Sequence, residues 1–479
     1  MILQIAVLPE GRLMTIDEAA VREFEEGVRG VLIRPGDADY DSARQVHNGM
    51  IDRKPALIAR CAGVGDVIDT IRFARASDLP IAVRAGGHNV TGRAVCDDGI
   101  VIDLSAMRGI RIDPSARTVR VEAGLTWGEV NHDLQHFGLA ATGGFVSTTG
   151  VAGLTLGGGL GWLVRKHGLA CDNLLSADMV TADGRFLTAS EEENEDLFWA
   201  LRGGGGNFGV VTSFEFRVHP VGTALAGLLV HPIARAPEVL RFWRDYAAQA
   251  PEELTDGFLL FTAPPAPFIP KAAHGAPVVG VYAVYAGDLS TGESVLRPLR
   301  EFGPPVADII QPMPYSSAQT MADWMWPRGL RNYWKSGFLA RLSDDAIDAI
   351  IEGFATAPSP MTTALVEHNG DGALNRVAPD GTAFGHRDWS FNFLATSLWP
   401  DRADTDANIA WTRAYWDAVR PFTTDGVYIN YLGAEGEERV RAAYGADYDR
   451  LVAVKDTYDP ENVFRLNQNI APAGRAAAA

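Results

Sequence analysis

The chain has 479 residues, more than one ordinary hydrophobic core accommodates, so about two or three packed units are expected. A hydrophobic share of 47% and a charged share of 21% are those of a globular protein, not of a disordered or fibrous one. The formal net charge of −18 argues against a broad nucleic-acid or anionic-membrane surface, which would need clustered Lys and Arg. No apolar run approaches the roughly 20 residues that span a bilayer. The opening MILQIAVLPEG is short and lacks both a basic leader and a small-residue cleavage site. Cys61, Cys96 and Cys171 form neither a disulfide framework nor a CxxC pair, and the cytoplasm is the default compartment.

In chain order the elements begin with a helix in which Val21, Phe24 and Val28 recur at helical spacing behind Asp17 as N-cap. Val67, Ile71 and Ala74 predict a second helix. From Leu79 to about Pro220 the pattern turns to short β-rich runs separated by glycine: PIAVR, GIVIDL, RTVRVEAG, SADMVTADG and GVVTSFEFRV. Helices such as Trp127–Phe137 lie between them, which predicts an α+β unit. Glycine is densest from Gly143 to Gly209, where backbone must approach something closely. After Pro220 a helical RFWRDYAAQ and the proline-spaced TAPPAPFIP precede the strand candidates PVVGVYAVY, TTALVEHNG, AFGHRDWSFNFL and DGVYINYLG. These predict a second α+β unit covering the first. Glu435 to Asn462 reads as helix broken near Gly445, with Asp447 capping the last helix, and the GRAAAA tail is expected to be disordered.

Three glycine clusters carry the chemical argument. Arg84-Ala-Gly-Gly-His-Asn89 follows a strand and reads either as a tight turn with an exposed histidine or as something more specific. Successive glycine N–H groups can form a concave nest for a pyrophosphate, and the adjoining imidazole can act as a nucleophile. The second cluster, Gly150 to Gly161, interleaves Leu154, Leu156 and Leu160, which need burial, so it is not a merely solvated loop. The third, Leu201 to Gly209, contains a literal G-x-G-x-x-G at Gly204, Gly206 and Gly209. A dinucleotide fingerprint needs a strand before it and a helix after it; here the order is reversed, and the Rossmann reading is rejected. His132 and His136 share one helix face, but the acid after the first is Asp133 instead of Glu and no third ligand is near, so no metal site is assigned. No G-x-S-x-G elbow supports a serine hydrolase.

Taken together, RAGGHN (84–89), GIVIDLSAM (99–107), GVAGLTLGGGLGWLVRKHGLACDNL (150–174), DLFWALRGGGGNFGVVTSFEF (196–216), YIN (428–430) and YDPENVFRLNQNI (458–470) resemble a known family. It is the FAD-linked oxidases of the vanillyl-alcohol oxidase and p-cresol methylhydroxylase (PCMH) superfamily. Within it the chain is similar to the berberine-bridge-enzyme-like branch and to bacterial 6-hydroxy-D-nicotine oxidase. The resemblance implies an α+β fold of two domains. Residues 1–220, completed by 435–479, would form a PCMH-type FAD-binding domain, and 221–434 a substrate domain built on an antiparallel sheet.

The resemblance further implies FAD bonded covalently to His88 through the flavin 8α-methyl group, with backbone around Arg84, Ala85, Gly86, Gly87 and Asn89 holding the pyrophosphate. Thr148, Thr149, Gly150, Gly153, Leu154, Gly158, Gly161 and Trp162 would line the cofactor. So would Asn207, Gly209, Val210, Val211, Asn467 and Asn469. Relatives with two covalent bonds carry cysteine where this chain has Val146, so attachment through histidine alone is expected. Tyr428 and Asn430 match the family's Y-x-N motif, read as a strand pair on one side; the resemblance implies that the pair sits over the isoalloxazine as catalytic residues, with Tyr428 removing a substrate proton or orienting the substrate. Glu367 and His368 adjoin, so a regular strand lets only one of them face the flavin; Glu367 is the better match to a carboxylate base. The implied activity is an oxidase that oxidises a small organic molecule (an aromatic, alcohol, amine or natural-product intermediate) and reduces dioxygen to hydrogen peroxide. A flavin dehydrogenase, an oxygenase of the N5-oxide type suggested by Thr149, and a non-catalytic flavin-binding protein are the alternatives. Substrate identity and oligomeric state stay open.

Overall fold

The computed structural model describes residues 2–7 and 13–474; of the GRAAAA tail expected to be disordered, residues 475–479 lie outside the described residues. The opening helix forms as Glu18–Gly27, and the Asp17 carboxylate accepts from the Ala19 N–H at 3.0 Å. A four-stranded sheet follows. Leu57–Arg60 and Ile81–Arg84 both run parallel to Ile100–Asp103, which lies between them, and Val31–Ile33 closes one edge antiparallel. Helix Val64–Ala76 makes the crossover and buries Val67, Ile71 and Ala74, the stripe seen in the sequence. All four residues of the central strand are buried, as expected of a parallel strand covered on both faces.

A second, antiparallel sheet has the order Phe186–Ser190, Leu174–Val180, Val210–Arg217, Thr118–Glu122, Ile110–Asp113. Helix Trp127–Gln135 starts on a capping box, in which the Glu129 carboxylate accepts from the Thr126 N–H and hydroxyl, both at 2.9 Å. His132 and His136 sit side by side on its exposed end with ring centroids 5.4 Å apart. Among the described residues no cluster of three metal-ligating side chains is present.

The third sheet is antiparallel and large. Its central order is Thr223–Pro232, Pro277–Tyr285, Leu254–Thr262, Thr363–His368, Phe391–Trp399, Arg331–Leu339. Helices Ala236–Ala247, Leu289–Glu301, Asp344–Phe354 and Thr405–Val419 cover one face through Trp243, Leu296, Ile347 and Trp416. The other face presents Leu259, Leu365, Leu394 and Tyr282 towards Trp162 and Leu163 of the first half of the chain. The result is an α+β architecture whose largest sheet is antiparallel, as the resemblance implies.

The chain then returns to the first core. Helices Glu437–Tyr444 and Tyr448–Tyr458 are separated at Gly445, whose φ is +55°, and Tyr444, Leu451 and Phe464 join the same apolar cluster as Val119, Phe198 and Phe214. Asp447 stands at the N-cap position of the last helix without a side-chain bond to it. DGVYINYLG is not a strand: Ile429–Tyr431 is a single 3-10 turn, with the Tyr431 N–H donating to the Tyr428 carbonyl at 2.9 Å. Its near-continuous burial reads like a strand, yet its backbone closes on itself. Among the described residues no helix is long and apolar enough to cross a membrane.

Candidate active site

Strand Ile81–Arg84 feeds directly into the first glycine turn, and Gly87 takes a φ of +68°. Gly86 packs backbone to backbone on Gly150: a Cβ on Gly86 would come 2.4 Å from the Gly150 nitrogen, and one on Gly150 would come 2.5 Å from the Gly86 nitrogen. Two glycine clusters far apart in sequence thus meet without side chains between them. His88 opens on the resulting cavity, of about 480 Å³, within the size range of small-molecule sites. Its Nε2 lies 2.9 Å from the Thr148 hydroxyl, and its ring stacks on His47 with centroids 4.2 Å apart. Burial pushes the His88 pKa down to about 3, helped by His47 and Arg328, so the imidazole is neutral at physiological pH.

Ala85, Gly86, Gly87, Asn89, Thr149, Gly150, Gly153, Leu154, Trp162, Asn207, Gly209, Val210, Val211 and Asn467 line the same cavity. Other residues named from the sequence do not. Arg84 turns its guanidinium into a buried pair with Asp103 at 2.6 Å, so only its backbone is left to the turn. Gly158 and Gly161 give room elsewhere: a Cβ on Gly158 would meet the Phe384 ring, and one on Gly161 would overlap the Gly143 carbonyl. Thr148 reaches the site only through its hydroxyl beside His88 Nε2, and Asn469 lies beyond the lining.

Several polar atoms around this end are enclosed without a partner: Arg93 Nε, Asn467 Oδ1, Gln468 Oε1 and Asn469 Oδ1. The backbone cradle, the neutral imidazole and these unpaired donors and acceptors fit FAD, an elongated molecule with a diphosphate and many polar edges. The cradle is anchored from the C-terminal segment. Asn207 accepts from the Ile470 N–H at 3.0 Å, and the buried Lys455 ammonium donates to the Asn207 carbonyl at 2.7 Å and to Asp459 at 2.6 Å.

At the other end the antiparallel sheet supplies the chemistry. Tyr282, Gly257, Glu367 and Asn392 stand in one cross-strand row on the cavity face. Glu367 is buried and accepts from Asn392 Nδ2 at 2.8 Å, the Tyr431 hydroxyl at 2.9 Å and Asn369 Nδ2 at 3.3 Å. Burial raises its pKa to about 7 against the pull of those three donors. His368, one position on, faces the opposite way by strand alternation: its Nδ1 lies 2.8 Å from Asp256, among the helices behind the sheet. It is therefore not brought to the cavity.

Tyr428 and Asn430 meet across their turn instead of along a strand. The phenol oxygen of Tyr428 accepts from Asn430 Nδ2 at 2.8 Å, the Gly159 N–H at 3.0 Å and the Leu160 N–H at 3.2 Å. Burial still pushes its pKa up to about 12. Among the described residues no cation offsets this. Arg387 is paired with Asp172 at 2.7 Å, Lys335 with Glu435 at 2.6 Å, and His386 is bound to the Ala442 carbonyl at 2.8 Å. Sequence reasoning missed Tyr431, Asn392, His47 and Arg93. Tyr431 directly follows the Y-x-N motif, and Asn392 sits at an inward position of its strand, but its pairing with Glu367 depends on a register that no local pattern encodes.

Residues 55–190 match the family model described as FAD binding domain, and residues 427–471 match that described as berberine and berberine like. An FAD-linked oxidoreductase of Dictyostelium discoideum is 32% identical over 456 residues, 94% of this chain and 97% of the relative. The (R)-6-hydroxynicotine oxidase of Paenarthrobacter nicotinovorans is 34% identical over 460 residues, 93% of this chain and 98% of the relative. Among solved structures, 6-hydroxy-D-nicotine oxidase from Arthrobacter nicotinovorans superposes with a TM-score of 0.84 at 31% identity, covering 92% of this chain and 98% of that one. Berberine bridge enzyme from Eschscholzia californica has the same fold, with a TM-score of 0.84 at 22% identity over 96% of this chain and all 100% of that one.

Proposed function

The chain belongs to the berberine-bridge-enzyme-like family of FAD-linked oxidoreductases, and we propose that it is an oxidase holding FAD through a single bond to His88. Bound FAD supplies the two-electron acceptor for substrate oxidation. The rest of the reaction falls to the protein's own side chains. His88, neutral and open to the cavity, has the free nitrogen lone pair that covalent attachment needs. Val146 stands where a second, cysteinyl bond would form, and the free Cys61, Cys96 and Cys171 are all buried and absent from the cavity lining. Glu367 removes the substrate proton, while Tyr431 and Asn392 hold its carboxylate and stabilise the anionic form. Tyr428 and Asn430 fix the Gly159–Leu160 backbone against the cavity.

The observation that carries this reading is a neutral imidazole and a buried carboxyl with a pKa of about 7 opening on one cavity. The division into 1–220 with 435–479, and 221–434, is part of the proposal. It draws support from the apolar clusters: the first core gathers residues from Ile16 to Val218 and from Val427 to Ile470, whereas the helix-covered sheet core lies within 225–419. Cytoplasmic residence completes the working assignment.

Dioxygen as acceptor is tested by photoreducing the holoprotein under nitrogen with EDTA as electron donor and mixing it with aerated buffer in a stopped-flow. Return of the oxidised flavin spectrum within seconds, with hydrogen peroxide formed in equal amount, is the expected result. Reoxidation that takes many minutes would make the protein a dehydrogenase.

A further inference from the structure

The substrate end of the cavity differs in kind from the cofactor end. Its floor is Leu228, Leu259, Leu365 and Leu394 on the inner face of the sheet. Its opposite wall is the segment Met321–Trp326, with Met321, Met325 and Trp326 lining the chamber and Asp323 anchoring the segment to the Ser147 N–H at 2.7 Å. At the mouth, Trp324 and Phe268 stay 47% and 42% exposed, so apolar surface continues outward to solvent. Aromatic and thioether walls of this kind take flat, polarisable rings.

Polar groups at this end are few and of one character. Tyr282 OH and Trp334 Nε1 are enclosed donors without partners, and both residues line the cavity. A Cβ on Gly257 would come 2.2 Å from Tyr282 OH, so the missing side chain there is what lets the phenol lie across its neighbouring strand towards Glu367. Among the described residues Glu367 is the one carboxylate lining the cavity, and its three partners are neutral donors. Arg93 is the one guanidinium in the lining and belongs to the loop after His88, where its N–H donates to Asn89 Oδ1 at 3.3 Å.

Resting on the flavin reading above, we propose that the substrate is an aromatic compound that carries one ionisable O–H or N–H and no anionic group. Its ring system packs between the leucine floor and the Met321–Trp326 wall. With FAD bound, the O–H or N–H proton would pass to the Glu367 carboxylate while a hydride leaves an sp3 carbon that bears, or is conjugated with, that group for the flavin; a new C=O, C=N or C=C bond replaces the lost hydrogens, which balances the oxidation. A sugar would leave most of its hydroxyls facing leucine, methionine and tryptophan without partners. An anionic ring compound would meet the Glu367 charge, and among the described residues the one guanidinium in the lining is Arg93, on the loop after His88.

The test uses four probes on the holoprotein: 2-naphthol, 2-naphthylmethylamine, 2-naphthoate and cellobiose. Binding is read from tryptophan fluorescence and from perturbation of the flavin spectrum. The naphthol and the amine are expected to bind and cellobiose to leave both signals unchanged. At pH 8 the naphthoate should bind about ten-fold more weakly than the naphthol, and the gap should narrow at pH 6 as Glu367 takes up its proton. In Glu367→Gln the gap should close at both pH values. Cellobiose binding at least as tightly as the naphthol, failure of the naphthol to bind, or a gap unchanged in Glu367→Gln would each overturn the proposal. A colourless protein that still discriminates among the probes by tryptophan fluorescence would instead count against the flavin reading and leave the chamber's selectivity standing.

Discussion

Glu367 and Tyr428 show how position changes the work of a side chain. Both are buried, but Glu367 is pushed to a pKa of about 7, within reach of physiological pH, while Tyr428 is pushed to about 12. A general base must be deprotonated to act, so oxidation should be slow at low pH, rise through about 7 and level off above it. Glu367→Gln should lower flavin reduction by about a hundred- to ten-thousand-fold and remove that rise; anaerobic stopped-flow across pH 5–9 reads both. Tyr428→Phe should act differently, because its oxygen accepts the N–H groups of Gly159 and Leu160. Stranding those donors should cost about 1–3 kcal/mol in urea unfolding, with flavin retained. A Tyr428→Phe protein of wild-type stability would show that those two hydrogen bonds contribute little. Strand alternation allows only one of Glu367 and His368 to face the flavin and the family likeness favours Glu367; in the structure His368 pairs with Asp256 behind the sheet. It passed over Tyr431 because the motif Y-x-N ends one residue too early.

Among the elements, glycine clusters and apolar stripes were the readable part. The helix stripe of Val67, Ile71 and Ala74 and the strand runs ending at Arg84 and starting at Val210 appear where their periodicity puts them. The meeting of Gly86 with Gly150 is long-range geometry that no local pattern specifies, although both clusters announce close approach. Gly86→Ala should force the two turns apart, since its Cβ would sit 2.4 Å from backbone that cannot rotate away. The expected result is loss of bound flavin and about 1–3 kcal/mol of stability, with the far-ultraviolet circular dichroism preserved. Flavin content equal to wild type would show that this contact does not shape the cradle. The segment around Ile429–Tyr431 reads as a strand because its apolar and aromatic run suits one, yet its backbone closes into a 3-10 turn, a difference that no local pattern encodes.

Across the whole molecule, the two sides of the cavity are held together by buried polar pairs that composition does not reveal. Arg387, from the loop before strand Phe391–Trp399, reaches Asp172 near the start of strand Leu174–Val180, with side chains only 2% and 6% exposed. Arg387→Met would leave Asp172 without its bidentate partner and should cost about 3–5 kcal/mol in urea unfolding, the usual penalty of breaking such a pair from one side. A loss below about 1 kcal/mol would mean the pair is solvated in practice. What this architecture accomplishes is to bring His88, from the first sheet, and Glu367, from the third, to one chamber, and the account stands or falls on what His88 carries. The direct measurement is a peptide map of the acid-denatured holoprotein by mass spectrometry, alongside His88→Ala. With FAD bonded to His88 alone, one flavin adduct appears, on the peptide containing His88, and none in the variant. Flavin released entirely into the acid supernatant of the wild type, or an adduct that persists in His88→Ala, would contradict it.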